Sequence, residues 1–202
     1  FYVGQRDIQA QNLKAYILRK LVRTEEAKAT IDYVQSIDPL DYWSTLEKSF
    51  IEKGDASVLQ SRTKDQTEGL VAVQEFLEMV NNYLSVGGTE EAQALIDQAV
   101  ALGNPFAASP LVYYYKAYVC LLEGNRGDAG AQLEKANSLS HINQYPLRIE
   151  EVKMFDTLTA AFADNAFLHY HYGNLLYYIG QKDHGLAEWT RSTELDGTFA
   201  VT

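Results

Sequence analysis

The stretch NAFLHYHYGNLLYYIGQKDHGLAEWTRSTELD, residues 165–196, decides the fold. Leu168, Tyr172, Leu175, Leu176 and Ile179 form one apolar stripe at the 3.6-residue period of an α-helix. Gly180-Gln181-Lys182-Asp183 then makes a connection so short that the chain must return antiparallel. The return opens on a small residue, Gly185, and places Trp189 and Ser192 one and two turns further on. A glycine inside a helix, such as Gly173, costs about 1 kcal/mol against alanine. A close helix–helix approach is expected to offset that cost.

Working outward, the same turn recurs. Val22-Arg23-Thr24-Glu25-Glu26-Ala27, Gly87-Gly88-Thr89-Glu90-Glu91-Ala92 and Gly124-Asn125-Arg126-Gly127-Asp128-Ala129 align without gaps on Gly180-Gln181-Lys182-Asp183-His184-Gly185. Each ends one helix and starts another on a small residue. Val73, Phe76, Leu77, Val80, Tyr83 and Leu84 form a further helical stripe, and Ala92, Leu95, Ile96, Ala99 and Val100 another. Pro39, Pro105, Pro110 and Pro146 all fall between periodic segments, and no stretch alternates strictly enough to predict a strand. Asp38-Pro39 and Ser109-Pro110 read as N-caps followed by proline at the first helical position.

These features resemble the tetratricopeptide repeat, a 34-residue helix–turn–helix unit. Four repeats are read, near residues 8–40, 73–105, 110–140 and 166–198, with helical insertions at 41–64 and 140–164. The first insertion predicts two helices, carrying Trp43, Leu46 and Phe50, then Val58 and Leu59; the second predicts one, carrying Ile149, Val152, Phe155, Leu158 and Phe162. The implied fold is all-α, an irregular right-handed solenoid of ten to eleven helices in antiparallel pairs, read as one domain over residues 1–202. A narrower resemblance runs from about Asn12. The order of repeats, the Asp-Pro-Leu-Asp and Tyr-Pro-Leu-Arg pieces and the closing Tyr-Gly-Asn repeat are similar to the helical region that follows a mutarotase-like β domain in large uncharacterised bacterial proteins. No β domain is read within these residues, so none of them inherits a sugar-related role.

Composition narrows the function classes. A net charge of −10 over 202 residues argues against nucleic acid, whose phosphates need clustered Lys and Arg, and against anionic membrane surfaces. No apolar run reaches the roughly 18–20 residues of a membrane span. No basic start with an apolar core marks a signal peptide. The chain opens at Phe1 and stops just after a helix-like stretch, so a piece of a longer bacterial protein is expected, with its compartment left open. The single cysteine, Cys120, excludes an internal disulfide and reads as a core residue.

No catalytic, cofactor or metal motif is found. His169 and His171 point to different sides of one helix, and His141 and His184 fall on turns. Glu25-Glu26, Glu90-Glu91, Asp183 and Glu150-Glu151 read as first-turn acids that complement the helix dipole. The candidate binding residues follow from the repeat resemblance, in which the first helices line a groove. Groove positions fall on Leu77, Asn81 and Leu84; on Tyr114, Tyr118, Leu121 and Leu122; and on Phe167, Tyr170, Asn174, Tyr177 and Tyr178. Nine of the fourteen tyrosines lie between Tyr113 and Tyr178, which favours Asn81, Tyr114, Tyr118, Tyr170, Asn174, Tyr177 and Tyr178 as contacts, since tyrosine joins a rigid apolar face to a polar tip. The expected role is a non-catalytic scaffold for a protein, a peptide or another domain of the same chain. An accessory helical region of a carbohydrate-active protein and a spacer or dimerisation element are the alternatives.

Overall fold

A computed structural model of the chain describes residues 3–56 and 69–197. Ten α-helices and one 3₁₀ turn account for the secondary structure, and no strand occurs among the described residues. The helices are α1 (Val3–Lys20), α2 (Thr24–Ile37), α3 (Tyr42–Glu52), α4 (Gly69–Ser85), α5 (Thr89–Leu102), α6 (Pro110–Leu122), α7 (Arg126–Asn137), α8 (Glu151–Ala161), α9 (Ala166–Tyr178) and α10 (Lys182–Leu195). They form two compact units, Phe1–Leu102 and Gly103–Thr202. The second helix expected in the first insertion, with Val58 and Leu59, lies outside the described residues.

The four aligned turns are identical bond for bond. Val22, Gly87, Gly124 and Gly180 each take a positive φ, between 61° and 89°. Their own N–H groups donate three residues back, to the carbonyls of Arg19, Leu84, Leu121 and Tyr177. The next N–H in each turn reaches five residues back, to Leu18, Tyr83, Cys120 and Leu176. This double closure satisfies carbonyls that the helix end would otherwise leave bare. The small residue that follows bonds back onto the turn in every copy, Ala27 to Arg23, Ala92 to Gly88, Ala129 to Asn125 and Gly185 to Gln181.

The second helix of each pair buries the same register. Ala27, Ala92, Ala129 and Gly185 are buried, as are Val34, Ala99, Ala136 and Ser192 seven residues later. Ile31, Ile96 and Leu133 fill the intervening position, where α10 carries the half-buried Trp189. The reason for the small residues is most evident in α9–α10. A Cβ on Gly173 would fall 2.4 Å from Trp189 Cδ1, and a Cβ on Gly185 would meet the Gly173 carbonyl and the Tyr177 N–H at 3.0 Å. Two backbones in near contact leave no room for a side chain.

In the first unit, α3 packs on α1 and α2. Its N-cap is Asp41, whose carboxylate accepts from Ser44 N–H at 2.7 Å, and not Asp38 as the sequence suggested. Asp38 instead follows the end of α2 and closes a turn by accepting from Leu40 N–H at 2.9 Å. The core centres on the fully buried Tyr83, met edge-on by Tyr16, Trp43 and Phe50 with centroids 5.8–6.0 Å away.

In the second unit, α8 packs on α6 and α9. Phe155 of α8 is fully buried, edge-on to Tyr114 and parallel to Tyr172. Ser109 caps α6 in position, with Pro110 at the first turn, but its hydroxyl bonds Gln144 Oε1 at 2.8 Å and not the helix.

Two outcomes follow. Val22 is 83 % exposed and β-branched, yet holds a left-handed backbone at φ 61°. Val22→Gly is expected to stabilise the first unit by about 0.5–1 kcal/mol, because it relieves that strain and loses no packing. Urea unfolding followed at Trp43 in a Trp189→Phe background reads this directly. Gly173→Ala is expected to lower the stability of the second unit by about 1–3 kcal/mol, the overpacking range, although helix propensity alone would raise it. Trp189 fluorescence in a Trp43→Phe background reports that transition.

Candidate functional site

The exposed aromatic surface of the second unit gathers where α9 ends and α10 begins. Tyr177 and Tyr178, the last two residues of α9, are 42 % and 66 % exposed. Tyr177 stacks on Trp189 of α10 with ring centroids 5.1 Å apart, and Lys182 Nζ lies 5.6 Å from the Tyr177 centroid. The Trp189 indole N–H donates to Asn174 Oδ1 at 3.1 Å and to the Tyr170 carbonyl at 3.3 Å. Asn174 is thereby oriented, with its oxygen spent on the indole. Its Nδ2 is enclosed and has no hydrogen-bond partner. A buried amide donor left unpaired is costly. Trp189 and Lys182 are the residues of this cluster that the candidate binding residues left out, because both sit in the second helix.

The remaining candidates divide. Tyr170 and Asn174 are half-buried within this cluster, and Asn81 is half-buried on α4 in the first unit. Tyr114 is fully buried, with its ring against Phe155 and His171. Tyr118 is buried too, and so is Leu77. These three are core residues as placed, which corrects the groove assignment for them. For Tyr114 the cause is plain: α8 and α9 occupy the face that a regular repeat would leave open. Cys120 is buried, as its position in the stripe implied.

Glu91 and Glu151, read as first-turn acids, are buried, and so is Glu47 in the middle of α3. Glu47 and Glu91 both pair with Arg19, at 2.7 and 3.0 Å, and Glu91 also takes Lys20 at 3.1 Å. The Tyr83 hydroxyl donates to Glu47 at 2.8 Å. Burial works to depress the Arg19 pKa, but the two carboxylates hold it above its ordinary value. Burial likewise opposes ionisation of Glu91, and its hydrogen bond from Lys20 with the other donors brings the pKa below the usual range. In the second unit Glu151 accepts from Tyr115 Oη at 2.9 Å and from the N–H groups of Leu147 and Arg148 at 2.8 Å. Desolvation raises its pKa despite those donors. Each cluster ties an inserted helix to its neighbours, a structural role, although Glu91 Oε2 is enclosed without a hydrogen-bond partner.

His169 and His171 point to different sides of α9 and His141 lies in a loop, as expected, whereas His184 falls within α10 and not on a turn. His169 Nδ1 meets Glu188 of α10 at 2.5 Å while Nε2 faces the Ala163 carbonyl at 3.0 Å, and the carboxylate raises its pKa. His171, fully buried on the opposite side of α9, meets His141 of the α7–α8 loop, Nδ1 of His141 lying 2.8 Å from Nε2 of His171. Thirty residues separate the two, so no local motif announces the pair. Beside α7, a cleft of about 620 Å³ is lined by Arg126, Glu134, Phe162, Asp164 and Phe167 among others. Its one guanidinium already bonds the Ala161 carbonyl and lies over Phe162.

Among the described residues, no group of three or more His, Cys, Asp or Glu side chains is placed to hold a metal, and no helix is long and apolar enough to cross a membrane. Comparison with protein-family models, with curated proteins and with solved structures finds no match. Fold and site together define an all-α protein of paired helices with an exposed aromatic face on its last pair.

The histidines set a pH dependence. Burial depresses His171 to about 3, so between pH 6.5 and that value the unfolded chain binds the extra proton and stability falls as pH falls. The slope is at most about 1.4 kcal/mol per pH unit. His169 acts oppositely and in another window: its raised pKa contributes stability present below about pH 6.5 and lost as pH rises through the folded value. Urea midpoints of the second unit, read at Trp189 between pH 6.5 and 5, are expected to decline more shallowly in His171→Leu than in the parent.

Proposed function

We propose that this chain is a tetratricopeptide-type interaction module, without catalytic activity of its own, that holds an extended peptide segment on the aromatic face of α9 and α10. The segment comes from another protein or from another domain of the same full-length chain. The observation that carries the reading is the Tyr177–Trp189 stack beside the oriented amide of Asn174, with Tyr178 exposed next to it. Rigid aromatic surface supplies contact area at little entropic cost, and such residues dominate binding energies at interfaces. Lys182 adds a cation at the rim, so the favoured segment is apolar with acidic flanks. The repeated turn and the buried small residues support the family reading.

A pyranose ring is the second reading, because its C–H face also stacks on exposed tyrosine and tryptophan. The two separate in one experiment. Peptides selected from a displayed library are titrated against the protein by Trp189 fluorescence in the Trp43→Phe background, alongside a panel of oligosaccharides. Tyr177→Ala with Tyr178→Ala is expected to weaken the selected peptides at least tenfold while the unfolding midpoint stays within the range of surface substitutions. Peptides that bind the double variant as well as the parent, or saturable binding of oligosaccharides alone, would remove the peptide reading.

A further inference from the structure

The His141–His171 contact has no part in the peptide reading, and its chemistry is unusual. Two neutral imidazoles carry two N–H hydrogens between them. One lies in the 2.8 Å contact, and the other sits on one of the two outward nitrogens, His141 Nε2 or His171 Nδ1. Both outward nitrogens are enclosed and have no hydrogen-bond partner. The pair is walled by aromatic rings. His141 lies flat on Phe167 with centroids 4.0 Å apart, and Tyr114 of α6 and Tyr170 of α9 stand edge-on to His171. The Tyr114 hydroxyl is itself buried without a partner.

Adding a proton to this pair gives both outward nitrogens an N–H and places a full charge among rings, with only the backbone of Ala136 and Asn137 favouring the charged form of His141. A second proton would set N–H against N–H across the contact. Charged groups that might compensate are engaged elsewhere. Glu188 of α10 faces His169, and Glu151 of α8 faces Tyr115 and the loop backbone. From α7 only the backbone of Ala136 and Asn137 acts on His141. Apart from the two histidines, the titratable groups against His171 are the tyrosines Tyr114 and Tyr170. Burial depresses both imidazoles, and His141 further depresses His171.

The two partners differ in what holds them. His171 is fixed in the middle of α9, whereas His141 rides on the segment between α7 and α8. Within it the Leu139 N–H bonds the Ala136 carbonyl, Ser109 Oγ donates to Gln144, and at its far end the N–H groups of Leu147 and Arg148 donate to Glu151. Pro146 is buried and Leu139 half-buried, whereas Ile142 is 78 % exposed, so the stretch around Ile142 is the part least held by burial.

We propose that the His141–His171 contact is an acid-released latch: uptake of a proton by the pair frees the 138–148 segment from α9, carries His141 into water and uncovers the aromatic surface of Phe167, Tyr170 and Tyr114. The second unit then presents one surface at neutral pH and a larger apolar one in mildly acidic surroundings, with the helices intact.

Hydrogen exchange of the 202-residue protein at pH 7.5 and 5.2, corrected for intrinsic rates, tests this. The reporters are the amides of Leu139 and Gln144, which bond Ala136 and His141 carbonyls. Their opening constants are expected to rise about twentyfold at pH 5.2, which lies about 1.3 units below an unperturbed histidine, while the amides of α9 keep their protection. His141→Phe, which keeps the stack on Phe167 but cannot titrate, is expected to abolish the rise; His141→Gln serves if the phenylalanine does not fold. Unchanged opening at pH 5.2, the same rise in both variants, or loss of α9 protection together with the segment would each overturn the latch.

Discussion

The structure depends on how near two helix backbones can come. In all four pairs the second helix carries, as its fourth residue, one no larger than alanine, and this residue is buried. The turn that precedes it is fixed by a positive φ and two backbone bonds, so the entry angle of the second helix is set before any side chain packs. Close approach at that point then decides which residues one and two turns later face inward. The apolar stripes are consequences of this geometry as much as causes of the fold. Where glycine occupies both sides of the crossing, at Gly173 and Gly185, the gap is closed by Trp189, and the same indole orients Asn174. The candidate site is therefore a by-product of the tightest crossing in the molecule.

Polar chemistry plays a second, separate part. Arg19, Glu47 and Glu91 form a nearly enclosed cluster, and Glu151 forms another with Tyr115 and two backbone N–H groups. Buried ions cost several kcal/mol each to desolvate, and removing one partner leaves the other uncompensated. Such clusters add little net stability but penalise every other arrangement. They lie where α3 and α8 interrupt the regular alternation of pairs, the places at which apolar stripes alone would allow a helix to slide.

Legibility in the sequence followed distance along the chain. The stripes, the four turns and the small positions all lie within about a dozen residues of one another, and all were legible. So was the exposed cluster of Tyr177 and Tyr178, because its register follows from one helix. Tyr114 was misplaced because a regular repeat leaves its face open, and here an inserted helix covers it. Asp38 was taken as a cap because Asp-Pro is a strong local signal, yet Asp41 three residues on reaches the helix N–H groups. Glu47, Glu91, Glu151 and the His141–His171 pair were missed for a common reason. Each is defined by a partner 28 to 72 residues away, except for the backbone N–H groups that Glu151 also holds, and an isolated acid at a helix start looks the same whether it is solvated or enclosed.

The two buried tyrosine–glutamate bonds, Tyr83 to Glu47 and Tyr115 to Glu151, each span 36 residues and each join a repeat helix to an insertion. Neither member is tolerable alone: a phenol without its acceptor and a carboxylate without its donors are both stranded in the interior. In a chain lacking either insertion, phenylalanine at the matching position would leave no hydroxyl stranded, so each of these phenols makes its repeat helix depend on the inserted neighbour.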